Sequence, residues 1–504
     1  MLHRGTELDE LCCELEASLD RGDHARALAQ LRRSGPAAWY RLPRERFRAI
    51  LELILAGGGE SSEFARHMLK FVSVADHRHL DLEQAAAIPD GDPCLTTMRL
   101  IARMMDLRLR GRAGAALSLV PELHEEAVKV HPMFDTRSGW NLLISAQCGA
   151  TAMLAGEFRA ALDYFAAAQS HVIVPSLLFF NRDAHVKSAI IHALFGDTED
   201  AVIALGQAKR IPRTASWIEP IIDAHAALAE AILDHDFDRA SLTLRALPLR
   251  EVGEMWPFLV LGLHRQLLRS GRLLELSDRL ATFENLGFPR IEGESFTGSV
   301  LPMSRTVVHL MRGDLASAER SIAAGDPEFV GTQLVSAAVA VARGRGQRAL
   351  ELARSSAAGT DGLRQLQLRR YGIMAHAHLT LGRRDQALET LHTLESIAGG
   401  SRGEDVPFLA SEVHELATTA VPKWEGLEAP MKPVRPNLEL PVPLTSRERE
   451  VLHLLASGAS RTEIAERLFI SMNTLKTHLR GVYRKLDAPN RATAILRAER
   501  AGLL

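Results

Sequence analysis

The chain has 504 residues, too many for one compact core and enough for several. Aromatics make up 5% of it, Ala and Leu abound and 52 Arg outnumber 8 Lys, a composition that favours helices over a sheet core. The net charge of −2 is uneven: residues 444–504 hold 11 Lys and Arg against 6 Asp and Glu, a net of +5, so a polyanionic partner fits the tail and not the rest, which carries −7.

The N-terminal stretch Met1 to Asp20 is acidic and amphipathic and lacks the apolar run of a signal peptide. No apolar run in the chain approaches eighteen residues, so no membrane span is expected. Cys12, Cys13, Cys94 and Cys148 show no C-x-x-C spacing and read as reduced thiols of a cytoplasmic protein.

From here to about residue 400 one pattern recurs: a Gly followed five residues later by Ala, usually then an aliphatic. It appears as Gly22…Ala27-Leu28, Gly111…Ala116-Leu117, Gly156…Ala161-Leu162, Gly196…Ala201-Val202, Gly344…Ala349-Leu350 and Gly382…Ala387-Leu388. Gly313…Ala318 is weaker, and Asp236…Ser241-Leu242 and Gly271…Leu276 are degenerate. From residue 111 the spacings are 45, 40, 40, 35, 42, 31 and 38, the range of a solenoid of helix pairs. The unit is an amphipathic helix, such as Asp183 to Phe195, a Gly at positive φ that ends it tightly, then a second helix whose small residue lets the backbones approach. Gly156-Glu157-Phe158-Arg159-Ala160-Ala161-Leu162 and Gly382-Arg383-Arg384-Asp385-Gln386-Ala387-Leu388 resemble the core of the tetratricopeptide repeat. With a period nearer 40 than that repeat's 34, the expectation is longer helices in an irregular superhelix.

Such arrays leave an extended concave surface for a ligand or protein. Trp140, Phe180, Trp217 and Trp256 recur at the starts of first helices at roughly repeat spacing. They either line that surface or pack between repeats, and regular spacing favours packing. Six prolines between Val421 and Pro443, with no helical period, predict an extended, semi-rigid linker.

The last sixty residues read as four helices. Thr445 and Glu448 have capping-box spacing, as do Ser460 and Glu463; Ser471 and Asn490 are further N-cap candidates, and Gly458 fits a left-handed position after the first helix. Apolar residues of helical period supply inner faces: Val451, Leu454 and Leu455; then Ile464, Ala465 and Leu468; then Leu475, Leu479, Val482 and Leu486, with Phe469-Ile470 plugging the core from a turn. With that third stripe turned inward, the outer face carries Asn473, Thr474, Lys476, Thr477, Arg480 and Arg484, with Lys485 at its flank. Donors in the first two turns and cations beyond suit a helix laid in the DNA major groove; the alternative is a solvated cationic face.

Leu444-Thr445-x-Arg447-Glu448-x-Glu450-Val451-Leu452, Gly458, Glu463-Ile464-Ala465, Ile470-Ser471-x-x-Thr474-Leu475-Lys476-Thr477-His478, Tyr483-x-Lys485-Leu486 and Asn490-Arg491-x-x-Ala494 together resemble the LuxR-type DNA-binding domain, in register over nearly the whole segment. That domain is shared by quorum-sensing regulators, NarL-like response regulators and MalT-like activators. The resemblance implies that Thr474, Lys476 and Thr477 contact DNA. It also implies that Glu448, Leu452 and Gly458 hold the domain together and that the fourth helix, Arg491 to Leu503, pairs two copies. Leu475 stands where the family often has Val, and Asp487-Ala488-Pro489 replaces a more usual Gly-Val.

No Gly is followed by Lys anywhere, so there is no phosphate-cradling G-x-x-x-x-G-K-[ST] loop, although MalT-like regulators carry an ATPase module ahead of their repeats. The pairs His77/His79, His124/His131, His185/His192 and His376/His378 form no metal-binding motif, and Glu125-Glu126 and Glu251/Glu254 read as exposed acids. There is no G-x-S-x-G elbow. The expectation is an all-α chain: a tetratricopeptide-like array over 1–420, a linker over 421–443 and a LuxR-type helix-turn-helix domain over 444–504. Its partner is double-stranded DNA, bound as a homodimer, with an effector or protein on the array and neither catalysis nor a cofactor. The alternative is an interaction scaffold whose tail mainly dimerises.

Overall fold

The computed structural model describes residues 7–34, 37–57, 65–66, 68–69, 72, 93–129, 139–171, 175–398, 410–421, 444–468, 470–486, 488 and 490–500. The linker expected over 421–443 lies outside the described residues from 422 on, as do Phe469, Asp487 and Pro489. All regular structure among the described residues is helical.

Seven antiparallel helix pairs follow one another from residue 140. They are Trp140–Ala155 with Phe158–Ser170, Leu178–Leu194 with Thr198–Arg210, Glu219–Leu233 with Phe237–Ala246, and Trp256–Arg269 with Leu273–Asn285. Then come Ser295–Met311 with Leu315–Ile322, Val330–Ala342 with Gly346–Ser355, and Arg364–Thr380 with Arg384–Ala398. Upstream, Glu7–Asp20 pairs with His24–Ser34, and Gly111 joins Pro93–Leu109 to Ala113–Leu117. Every repeat read from the sequence falls on such a junction. Gly22, Gly111, Gly156, Gly271, Gly313, Gly344 and Gly382 all have φ between +71° and +97°. The residue after each of the last five donates its N–H to a carbonyl five residues back, at 2.8–3.0 Å, so the final turn of the first helix is satisfied. Ala27, Ala116, Ala161, Ala201, Ala318, Ala349 and Ala387 are wholly buried, and Ser241 and Leu276 do the same work in the degenerate copies.

Gly196 departs from this scheme. It is absent from the positive-φ glycines, and its helix closes through Phe195 and Gly196 N–H groups bonded to Ile191 and His192 carbonyls. The next helix is started from the other side by Asp197, whose Oδ1 accepts the Glu199 N–H at 2.8 Å. A Cβ at 196 would lie 2.6 Å from His192 Nδ1 and 3.0 Å from its Cα. Glycine is needed there for room, not for handedness.

The expected open concave surface is filled where the middle repeats meet. Phe158, Phe195, Phe258, Phe296 and Phe329, from five helix pairs, form one buried aromatic hub, with Phe158 and Phe195 stacked at 4.0 Å. Polar ties span the same turn of the superhelix. Thr297 Oγ1 donates to the Leu154 carbonyl at 2.9 Å, the Gln365 N–H to the Phe195 carbonyl at 3.0 Å, and Arg364 pairs with Asp197 at 3.0 Å. Trp140, Phe180 and Trp256 are buried, and Trp217 stacks on Tyr40 with its Nε1 donating to the Trp39 carbonyl. These four aromatics pack between repeats. Glu254, read as an exposed acid, instead takes two bonds from the buried Arg108 guanidinium at 2.8 and 3.1 Å.

The C-terminal unit consists of Ser446–Ala456, Arg461–Arg467, Met472–Lys485 and Arg491–Arg500. Its core has two clusters sharing Tyr483: Leu452, Val482, Leu486 and Ala494 on one side, Val451, Leu455, Ile464, Leu475 and Leu479 on the other. Leu454 and Leu468 are half-buried. Among the described residues no helix is long and apolar enough to cross a membrane.

Candidate nucleic-acid interface

Both capping boxes form. Thr445 Oγ1 accepts the Glu448 N–H and Glu448 Oε2 accepts the Thr445 N–H at 2.7 Å; Ser460 and Glu463 repeat the arrangement. Gly458 has φ +89°, and Asn490 Oδ1 accepts the Thr493 N–H at 2.9 Å. Two arginines of the LuxR-type pattern, given no role from the sequence, finish the other ends. Arg447 donates to the Leu468 carbonyl at the end of the second helix, and Arg491 to the Leu455 carbonyl at the end of the first, at 2.6 Å. Both supply donors to carbonyls that have no intrahelical partner.

These caps aim the third helix, Met472–Lys485. Ser471 starts it, accepting the Thr474 N–H at 3.2 Å, and its hydroxyl lies 2.8 Å from that of Thr474. Leu475, Leu479, Val482 and Leu486 are buried. Asn473, Thr474, Lys476, Thr477, Arg480 and Arg484 are all exposed. Thr477 Oγ1 donates to the Asn473 carbonyl at 3.1 Å, which leaves its lone pairs outward. Lys476, Arg480 and Arg484 make no ion pair with another described residue, and the first turn holds no acid. The face is therefore a row of exposed polar side chains and positive charge at helical spacing.

Lys485 does not join that face. Its Nζ lies 2.6 Å from Glu448 Oε2, with the two side chains 8% and 9% exposed. The stripe Leu475–Leu486 turns its position toward the first helix, where Glu448 is already fixed by its cap. Burial alone would raise the Glu448 pKa; the hydrogen bonds from Lys485 and Thr445 outweigh it and hold the carboxyl below the usual range. Gly481 makes the pair possible, since a Cβ there would stand 2.3 Å from Glu448 Oε1. A glycine inside an otherwise regular helix was the available signal for this close approach.

Among the described residues no group of three or more His, Cys, Asp or Glu side chains is gathered as a metal site. His192 lies 3.8 Å from Asp200 and His376 3.7 Å from Glu412; both rings are held below the usual histidine range by burial, with those acids opposing. His77, His79 and His131 lie outside the described residues.

Residues 442–498 match the family of bacterial regulatory proteins of the LuxR type. The C-terminal domain is thus a LuxR-type helix-turn-helix, preceded by an array of helix pairs. Over 101 residues the chain is 38% identical to the monoamine regulon transcriptional regulator of Klebsiella aerogenes, covering 20% of this chain and 43% of that protein. It is 47% identical over 64 residues to the HTH-type transcriptional regulator MalT of Vibrio campbellii, 13% of this chain and 7% of that one. It is 52% identical over 52 residues to the CsgBAC operon transcriptional regulatory protein of Escherichia coli, 10% of this chain and 24% of that one. The chain thus spans less than half the length of each of these relatives. Over 85% of its length it overlies 97% of a chain of the APC/C hetero-tetramer Cut9–Hcn1 at 11% identity and a TM-score of 0.33, too distant to inform function.

Proposed function

We propose that the chain is a DNA-binding transcriptional regulator whose third C-terminal helix reads operator DNA in the major groove. The observation that carries this is the exposed face of Asn473, Thr474, Lys476, Thr477, Arg480 and Arg484, its three cations in no ion pair with another described residue and its first turn free of acid, on a helix locked at both ends of its neighbours by caps. Asn473 and Thr474, in the first turn, are placed to reach base edges, and Arg480 and Arg484 to meet phosphates. Lys485 is left out, because its charge is spent on Glu448. The fourth helix, Arg491–Arg500, pairs two copies on two half-sites. The domain limits 1–420, 421–443 and 444–504 belong to this proposal, as does an array that senses an effector or a protein. With its middle concave surface packed by phenylalanines, the array offers that effector its outer faces and ends. The regulator relatives favour this reading over a scaffold with a dimerising tail.

The test is selection of genomic or random duplexes by the wild type and by Lys476→Ala/Arg480→Ala side by side. A shared inverted-repeat motif that the double variant fails to enrich is the expected result. Enrichment of no motif, or of one indifferent to the substitutions, overturns it in favour of the scaffold.

A further inference from the structure

The Thr198–Arg210 helix carries a stripe that the array does not use. Glu199, Val202, Ile203, Gln207 and Arg210 are exposed, and Gly206 lies among them. Val202 and Ile203 are each 58% exposed, adjacent large aliphatics on the outside of a folded array. Glu199, Ile203, Gly206 and Arg210 recur at spacings of four, three and four, the spacing of a helix–helix seam.

Gly206 is the odd residue. It sits in mid-helix, where glycine is the poorest former after proline. Its φ is not positive, and a Cβ built on it meets nothing within 4 Å. Neither backbone geometry nor packing among the described residues calls for glycine here. Together with Val202, Leu205 and Leu233 it lines an open groove of about 510 Å³. A glycine that its own chain does not need suits a surface that another backbone approaches closely.

The charges identify the other body. The first turn is acidic, with Glu199 and Asp200, and the last turn basic, with Lys209 and Arg210. Asp200 leans toward His192 and Lys209 is held by Glu230 at 2.7 Å. Glu199 and Arg210 have no ion pair with any described residue. Two such helices laid antiparallel put Glu199 of each against Arg210 of the other. The same register sets Val202 opposite Gln207 and seats each Ile203 over the Gly206 of the second copy.

We propose that this face is a self-association surface for a second copy of the chain, its two Thr198–Arg210 helices crossing antiparallel about a two-fold axis between Ile203 and Gly206. The stripe is self-complementary in both shape and charge, as a two-fold interface requires. One helix pair buries less than the about 1,600 Å² of a standard stable interface, so the contact is reversible and concentration-dependent. It adds a second point of association to a regulator, and it does not rest on the DNA-binding reading.

The test is sedimentation velocity on the full chain, without DNA, across micromolar concentrations. The wild type is expected to shift from monomer to dimer. Glu199→Arg alone and Arg210→Glu alone each set like charges face to face at two places and are expected to weaken the dimer by about tenfold or more. An equimolar mixture of the two is expected to restore it, because both pairs are then opposite in sign. Gly206→Leu is expected to block the dimer with no loss of thermal stability, since a Cβ at 206 meets no described atom within 4 Å and the groove beside it is open. A wild type that stays monomeric, a dimer indifferent to these substitutions, or a mixture that fails to recover overturns the proposal. A chain that dimerises in this way and selects no operator overturns the DNA-binding reading alone.

Discussion

The helical array and the C-terminal domain are both built from helices, but they are closed over different distances along the chain. In the array the decisive contacts join residues far apart: Arg108 with Glu254 at a separation of 146, Thr297 with Leu154 at 143, Arg364 with Asp197 at 167. In the C-terminal domain the capping boxes close over three residues, and the ion pair Lys485–Glu448 over 37. Contacts between distant residues form only after the intervening chain has been ordered, so the array depends on its whole superhelical turn while the small domain is specified locally. The difference teaches where to expect each region to fail.

The largest effect is expected at the hub. Phe158 is 2% exposed and touches Phe195, Phe258, Phe296 and Phe329. Phe158→Ala removes the ring that those helix pairs share, and should cost about 3–5 kcal/mol. Two-transition denaturant unfolding checks it: the array transition should move sharply and that of the C-terminal domain should stay. If both move together, the two regions do not unfold independently and the comparison breaks.

Acid should separate them next. His264 is pushed down to about 3, chiefly by burial and then by the charge of Arg369. A histidine whose folded pKa lies below its ordinary 6.5 binds more protons unfolded than folded. Its contribution is therefore complete above about pH 6.5 and is lost as the pH falls from there toward 3. Glu448 has its pKa lowered from 4.5, so the stability it brings is present above that value and is lost only on further acidification. The array is expected to weaken first, between pH 6.5 and 4.5, with the C-terminal domain intact. Circular dichroism melts across that range, followed alongside a reporter in the C-terminal domain, would show it.

How much of this was legible follows the same division. Capping chemistry acts within three or four residues, so Thr445/Glu448, Ser460/Glu463, Ser471 and Asn490 could be read directly from spacing. The junction glycines and the small residue five positions later were legible for the same reason, each being a local demand repeated along the chain. Gly196 misled because spacing does not distinguish a glycine kept for its handedness from one kept for room beside His192. The phenylalanine hub was not legible at all. Phe158 and Phe329 meet because of superhelical pitch, which emerges from the sum of many small inter-repeat rotations and leaves no local pattern. Lys485 was misplaced for an intermediate reason. It stands at the edge of the Leu475–Leu486 stripe, where period alone does not decide the side, and the deciding feature was the acid across from it with Gly481 between.

Lysines 476 and 485 on one helix then give the finest comparison. Lys485→Met leaves the Glu448 carboxylate buried beside a thioether, and removing one partner of a buried pair costs about 3 kcal/mol or more. The fall should be visible in the melting of the C-terminal domain, and Glu448→Gln in the same chain should recover part of it, since the stranded charge is then gone. Lys476 is exposed and makes no ion pair with another described residue, so Lys476→Ala should leave stability within about 0.5 kcal/mol. Its effect belongs instead to operator binding. One fewer phosphate neutralised releases one fewer counterion, and the slope of log affinity against log salt should flatten by about 0.9. If instead Lys485→Met flattened the slope while stability held, the ion pair would be a resting arrangement that DNA breaks, and the outward face would widen at its flank to take in position 485.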